Sequence, residues 1–297
     1  MPEGICKLCK KDSELQLSHF IPKFIGKWLK DTSATGFIRF NQSINKRSQD
    51  IAKDYWLCRS CEQLFSAWER EFANRVFYPF MDKEESEARY GSWLSKFCAS
   101  LTWRTLTYAR SLDNTHSPKV SQKYDLAEAA LAAYLLGEGR SLGVYEQHLY
   151  PIAGIAETNV IGAPPNLNRY LLRTMQMSLP ESETSQMIYT KLPGFILIGL
   201  TGHKDSNAMR SSRVALAEGR LSLRSHRLPR GFLQYIFDEA QDMTDNYSNM
   251  DQSQKDKVSK SILSNPERFK SSKTFEAFKR DLSNFGVKAF SQDNREI

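Results

Sequence analysis

Two Cys-x-x-Cys pairs, Cys6/Cys9 in "CKLC" and Cys58/Cys61 in "CRSC", constrain this chain more than any other feature of it. A two-residue gap lets a tight turn aim both thiolates at one ion, and two such pairs complete a tetrahedron. The donor set is soft and suits zinc. A closed four-thiolate sphere leaves no position for a substrate, so the expected role is structural. Such an ion contributes roughly 10–16 kcal/mol of apparent binding energy, which a small, loop-rich segment needs. A redox dithiol and an iron–sulfur cluster are the other readings of such pairs. No thioredoxin-like βαβ pattern surrounds either pair, which counts against the first.

The fifth cysteine, Cys98, falls on the apolar side of a helical pattern and reads as a core residue. No stretch approaches the ~18 apolar residues that span a bilayer. The longest, "GFILIGL" at 194–200, has strand length. "MPEGICKLCK" lacks the apolar centre of a secretory signal. The expectation is a cytoplasmic protein without membrane association, where thiols stay reduced. Lys and Arg total 41 against 34 Asp and Glu, a net charge of +7. That excess is compatible with a polyanionic partner without requiring one.

The periodicity predicts an α+β chain. "TGFIRFNQS" at 35–43 reads as a short strand with Ile38 and Phe40 on one side. From Cys61, Leu64, Phe65, Trp68, Phe72 and Phe77 recur at near-helical spacing. "DKEESEARY" at 82–90 reads as a solvated connector. Residues 91–112 form a strong amphipathic pattern, and "YDLAEAALAAYLLGEG" reads as a helix closed by Gly137. His116 falls in a loop between them, on the solvent side. Another helix is expected over 166–177. "QMIYTKLPGFILIGLTG" reads as two strands about a Pro-Gly turn. "SRVALAEGRLSLRSHRLP" reads as a hairpin turning near Glu218-Gly219, and 229–285 as helices. The expected division is residues 1–80 as a zinc module and 81–297 as a second domain, helical over 86–177 with strands over about 186–227. In the first, a knuckle, a hairpin and then a helix bearing the last two ligands look like a treble clef.

With "CKLC", "LSHFIP" and "LCRSCE" in that order, residues 5–75 resemble the zinc-bearing branch of the HNH endonucleases. The resemblance implies a ββα-metal core, a divalent cation such as magnesium or manganese, and phosphodiester hydrolysis in nucleic acid, DNA ahead of RNA. His19 matches the family's general base. Glu62, directly after Cys61, matches its third polar position and would be a ligand of the catalytic cation. Asn41 and Asn45 both match the middle asparagine, with Asn45 as the working choice; Gln49 and Asp50 are further polar options. The unfixed middle asparagine is one of three departures from the family's pattern. Ser18 occupies a position usually held by an acidic metal ligand, and Glu62 replaces a histidine or asparagine. Stand-alone proteins of this type suggest bacterial defence or mobile elements by analogy.

The residue chemistry agrees with that reading. Hydrolysis needs a base near neutrality, which histidine supplies. It also needs a hard cation, which prefers carboxylate oxygens and water. The bland alternatives are His19 packed beneath Phe20 and Ile21, and Glu62 merely favouring the helix dipole. Glu69 lies on the same helix face as Glu62. A zinc deaminase would need a glutamate two residues after the histidine, where this chain has Ile21. Arg39, Lys46 and Arg47 before the second cysteine pair, and Arg220 and Arg224 in the later hairpin, are the candidate phosphate contacts. His148 and His203 read as structural. The rival function is a zinc-stabilised nucleic-acid-binding or adaptor protein with a decayed site. Residues 81–297 are a further candidate surface for a protein partner.

Overall fold

Along the chain the elements alternate between short strands and helices. The computed structural model describes residues 2–113, 115–152, 162–181, 186–202, 206–223, 226–228 and 231–290. Strand β1 (Glu3–Ile5) pairs antiparallel with β2 (Asp12–His19), and the first cysteine pair lies between them. Helix α1 (Lys23–Asp31) follows, then β3 (Lys53–Cys58), which pairs antiparallel with β2. Helix α2 (Arg59–Phe72) runs on through a π-turn at Ala73–Phe77 into α3 (Tyr78–Asp82). Next come β4 (Glu87–Tyr90), α4 (Ser92–Leu112), α5 (Pro118–Leu136) and β5 (Gln147–Pro151). Helix α6 (Leu167–Arg173) precedes β6 (Gln176–Ser178), β7 (Met187–Leu192), β8 (Phe195–Leu200) and β9 (Gly219–Ser222). Four helices close the described chain: α7 (Phe232–Ser248), α8 (Gln252–Ser264), α9 (Pro266–Ser271) and α10 (Lys273–Phe285).

The chain divides into two compact units that are interleaved in sequence. One comprises residues 1–22, 52–151 and 175–227; the other comprises 23–51, 152–174 and 228–297. The expected division near residue 80 does not coincide with this one. The reason is packing. Cys6, Leu15, Phe20, Trp56, Cys61 and Phe65 share one core with Ala99 and Trp103 of α4 and Leu131, Tyr134 and Leu135 of α5. The segment around the cysteines has too little apolar surface of its own and buries what it has against two long helices.

Also in the first unit, β5, β8, β7 and β6 form an antiparallel sheet in that order. The β7–β8 hairpin turns at Pro193-Gly194, where Gly194 takes a φ of 73°, a conformation only glycine adopts without cost. The face of this sheet toward α4 carries buried polar pairs: Thr102 donates to Gln147 at 2.5 Å, and the Thr105 and Thr190 hydroxyls meet at 2.5 Å. Gly199 of β8 lies against Thr102, and a β-carbon there would overlap the threonine methyl. We expect Gly199→Ala to cost roughly 1–3 kcal/mol, the usual penalty of overpacking. Thermal unfolding should show the loss, and Thr102→Ser, which removes the methyl and keeps the hydroxyl, should recover part of it.

The second unit is helical among its described residues. Its central polar feature is Asp281 of α10, which is fully buried. It accepts the backbone N–H groups of Asn168 at 2.7 Å and Arg169 at 3.2 Å, and the Arg169 Nε at 2.8 Å. These N–H groups belong to the first turn of α6, where the helix itself supplies no acceptor, so Asp281 of α10 caps α6. Arg268 does the converse at the end of α1, donating to the carbonyls of Ser33 at 3.2 Å and Lys30 at 3.4 Å.

Several local expectations change. Residues 35–43 hold a single bridge, Ile38 to Ser48, and a 3-10 turn at Asn41–Ser43 rather than a strand. The acidic connector contains β4. Its partner is β9, with Arg89 opposite Arg220, so the described residues of 212–229 do not form the expected hairpin about Glu218-Gly219. The helix over 166–177 ends at Arg173 and gives way to β6. Leu64 is exposed rather than part of the buried face of α2.

Candidate metal centre and adjoining polar cluster

The four paired cysteines converge. Their Sγ atoms all lie within 4.8 Å of one another, and Cys9 and Cys58 are 3.8 Å apart. A tetrahedral zinc with bonds of about 2.3 Å requires sulfur separations of about 3.8 Å. The first pair sits on a backbone knuckle: Cys6 donates to the Lys11 carbonyl and accepts from the Lys10 N–H, each at 2.9 Å. Lys10 closes that turn with a φ of 60°. The second pair begins α2, with Cys58 extended at the N-cap and Cys61 in the first turn. The register Leu15 to Cys58 between β2 and β3 carries the two pairs to the same point.

The thiols differ in acidity. Burial works against ionising Cys58, but the Ser60 hydroxyl and the Cys61 backbone N–H outweigh it and bring the group down to about 6. Burial pushes Cys9 and Cys61 upward. Four converging sulfurs suit a soft divalent ion, and this set is compatible with a structural zinc. Among the described residues it is the only group of this kind. Cys98 is fully buried in α4, and burial pushes its thiol well above the usual range, in keeping with an inert core residue.

Beside the cysteines, β2 and α2 meet through Ser18 and Glu62. The buried Ser18 hydroxyl donates to Glu62 Oε2 at 2.6 Å. The serine that stands where an acid was expected thus contacts the carboxylate that was gained. Seven residues along the same face of α2, Glu69 pairs with Arg104 of α4 at 2.7 Å. Burial pushes the Glu69 carboxyl upward against the pull of Arg104, and the charge of Glu62 adds to the push. The same Arg104 nitrogen donates to the backbone carbonyl of His19 at 3.2 Å. His19 itself is the half-buried last residue of β2, paired with Lys53 of β3. One buried guanidinium therefore links α4, α2 and the backbone of the candidate base. The sequence reading missed Arg104. Its only signal was a lone arginine in the apolar run "SLTWRTL".

The other predicted residues have contacts of their own. Asn45, in the second unit, accepts the backbone N–H of Asp251 at 2.9 Å. Arg39 donates to the Ile44 carbonyl at 2.6 Å and to Gln254 at 3.2 Å, which makes it a clamp for its own loop. Burial lowers its pKa, with Arg47 adding to the effect. Lys46 and Arg47 are exposed, and Arg47 lies over the Phe37 ring at 4.8 Å. Asp50 accepts the N–H of Ile51 at 2.9 Å. Arg220 is exposed and pairs with Glu87 at 3.2 Å. Arg224 and His203 lie outside the described residues. His148 is fully buried, with Nδ1 3.2 Å from the Met209 carbonyl and 3.1 Å from the Ser212 hydroxyl, as a structural histidine would be. His116 is not solvated as expected; it pairs with Glu181 at 2.7 Å.

No family model, curated protein or solved structure matches the chain. No helix among the described residues is long and apolar enough to cross a membrane.

Proposed function

We propose that the chain is a metal-dependent endonuclease of the HNH type that hydrolyses phosphodiester bonds in nucleic acid, DNA ahead of RNA. Cys6, Cys9, Cys58 and Cys61 hold a structural zinc. The order of knuckle, paired strands and helix supports a treble-clef reading of this region. The observation that carries the proposal is the Ser18–Glu62 contact at 2.6 Å. It joins the residue before His19 to the residue after Cys61, the two positions at which the resemblance expects a catalytic centre.

In this reading His19 takes the proton from the attacking water. Glu62, oriented by Ser18, is the carboxylate available to a magnesium or manganese ion. When bound, such an ion stabilises the charge developing on the leaving oxygen. Arg104 fixes the His19 backbone, and Glu69 supplies the counter-charge that allows an arginine to be buried there. Asn45 is not part of the proposed set, because its side chain already accepts the Asp251 N–H. The test is cleavage of plasmid and oligonucleotide substrates with added magnesium or manganese, comparing wild type with His19→Ala.

A second reading draws on the same contacts. Ser18 engages Glu62 and Arg104 engages Glu69. Carboxylates so engaged suit a zinc-stabilised nucleic-acid-binding or adaptor protein as well. Under either reading Arg220, Lys46 and Arg47 are the proposed phosphate contacts. If Arg220 holds one phosphate, Arg220→Ala should reduce the log–log salt slope of duplex binding by about 0.9. Its exposed ion pair with Glu87 contributes only ~0–1 kcal/mol to stability, so folding should be unaffected. An unchanged slope would leave Arg220 as the partner of Glu87 alone.

A further inference from the structure

A cleft of about 710 Å³ opens in the first unit between β3 and the C-terminal half of α4. Its wall carries Phe20, Tyr55, Trp56 and Tyr108, with Lys7 and Lys53 at its edges. Phe20 and Trp56 are almost fully buried and meet edge to face at 4.5 Å. Tyr108 lies flat on Phe20, with ring centroids 4.1 Å apart and planes 24° apart. Tyr108 is half-buried, so its stack on Phe20 has a firm base and an accessible outer layer, and the exposed Tyr55 lines the same cleft. The knuckle lysine Lys7 and the strand lysine Lys53 are both exposed. Lys53 is also the ladder partner of His19. The acidic groups of the lining are Asp54 and Glu128. Glu128 is offset by Lys10 at 3.6 Å and Arg110 at 3.5 Å.

We propose that this cleft binds an unpaired nucleobase, stacked on Tyr108 and Tyr55, with the flanking phosphates on Lys7 and Lys53. A packed core has no need of two tyrosines on an open wall, whereas a base offers the flat face that extends such a stack. The volume suits one or two nucleotides. A base inside a duplex cannot reach a recessed ring without leaving its own stack. The cleft therefore makes single-stranded nucleic acid, or a strand locally opened, the preferred ligand. This inference deepens the nuclease reading and rests on it for its meaning. Lys53 is the ladder partner of His19, so the cleft adjoins the strand end that carries the proposed base.

The test is fluorescence anisotropy with the full-length zinc-loaded protein, using a labelled oligothymidylate and a duplex of equal length, with cleavage read in parallel. Wild type should bind the single strand more tightly. Tyr108→Ala should weaken single-strand binding by roughly 5- to 150-fold, the usual worth of one stacked base. Tyr108→Phe should bind as wild type does, since the ring face and not the hydroxyl is used. Should Tyr108→Ala fail to fold, the exposed pair Lys7→Ala/Lys53→Ala decides. It should lower the single-strand salt slope by about 1.4, two phosphates at about 0.7 each. Equal affinity for duplex, or unchanged single-strand binding in folded Tyr108→Ala, would overturn the proposal. An unchanged slope in the lysine pair would do the same. Cleavage with no effect of Tyr108 would discard the cleft and keep the nuclease. Tyr108-dependent binding without cleavage under any divalent cation would keep the cleft and discard the nuclease.

Discussion

Cys58→Ser should lose its zinc and the cooperative unfolding of the whole first unit, not merely of its N-terminal segment. The size of the effect follows from two magnitudes. A four-thiolate zinc supplies roughly 10–16 kcal/mol of apparent binding energy. A domain of this kind has only ~5–15 kcal/mol of net stability. Even a partial loss of zinc affinity is therefore comparable with the stability of the unit. Serine leaves three thiolates and a harder oxygen, and it removes a thiol whose pKa its neighbours bring down to about 6. The damage spreads because the ligands belong to the core: Cys6, Cys58 and Cys61 pack in one cluster with Trp56, Trp103, Leu131 and Leu135. Metal analysis should give close to one zinc per wild-type chain and far less in the variant. Near-ultraviolet dichroism should lose the signal of Trp56 and Trp103, which lie 5.8 Å apart. A Cys58→Ser protein that is zinc-free and still melts as wild type does would remove the metal from the argument. A variant that loses only residues before 80 would restore the simpler division read from sequence.

What the sequence made legible was local. The helix at the second cysteine pair, the Gly137 stop with its φ of 81° and the Pro193-Gly194 turn each have a cue within a few residues. The start of α5 was missed: the helix was expected from Tyr124, with 113–119 as a loop, whereas Ser117 caps the Val120 N–H and the helix begins at Pro118. Non-local pairing was not legible. β4 hides in an acidic run because Glu87 and Arg89 point outward, and the partner β9 lies more than a hundred residues later. Nothing in either segment names the other. The interleaving of the two units has the same origin, since periodicity shows which face of a helix is apolar but not what covers it. The candidate site divides along this line. The cysteines were marked by their spacing, whereas Ser18, His19 and Glu62 were named only through the resemblance, and of these Ser18 and Glu62 are in contact. Arg104 was marked by neither, because its role exists only once α4 lies against α2 and the end of β2. Asn45 was placed by analogy alone, and its hydrogen bond to Asp251 gives it a structural task instead.

His19→Ala should lower cleavage by roughly 10²–10⁴ while leaving zinc content and melting unchanged, as expected for a positioned general base. Stability should be spared because the contact that ties this residue to α4 uses its carbonyl, which alanine retains. Glu62→Ala should behave differently. It removes a proposed ligand rather than the base, so its mark is a higher requirement for magnesium or manganese. It also removes the nearer acceptor of the buried Ser18 hydroxyl, at 2.6 Å, and leaves it the Gln16 carbonyl at 3.3 Å, at a cost of about 0.5–1.5 kcal/mol. Glu62→Gln separates the two effects. It keeps an acceptor for Ser18 and so should restore stability, but it lacks the charge a hard cation prefers and should not restore activity. A mild chelator should stop wild-type cleavage before zinc leaves, because four thiolates hold their ion far more tightly than one carboxylate holds magnesium. If His19→Ala loses activity only in proportion to folded protein, the histidine is a packing residue. If the wild type cuts neither single- nor double-stranded DNA or RNA with any divalent cation, the enzyme reading falls. The four-cysteine centre and the aromatic cleft would then define a binding module.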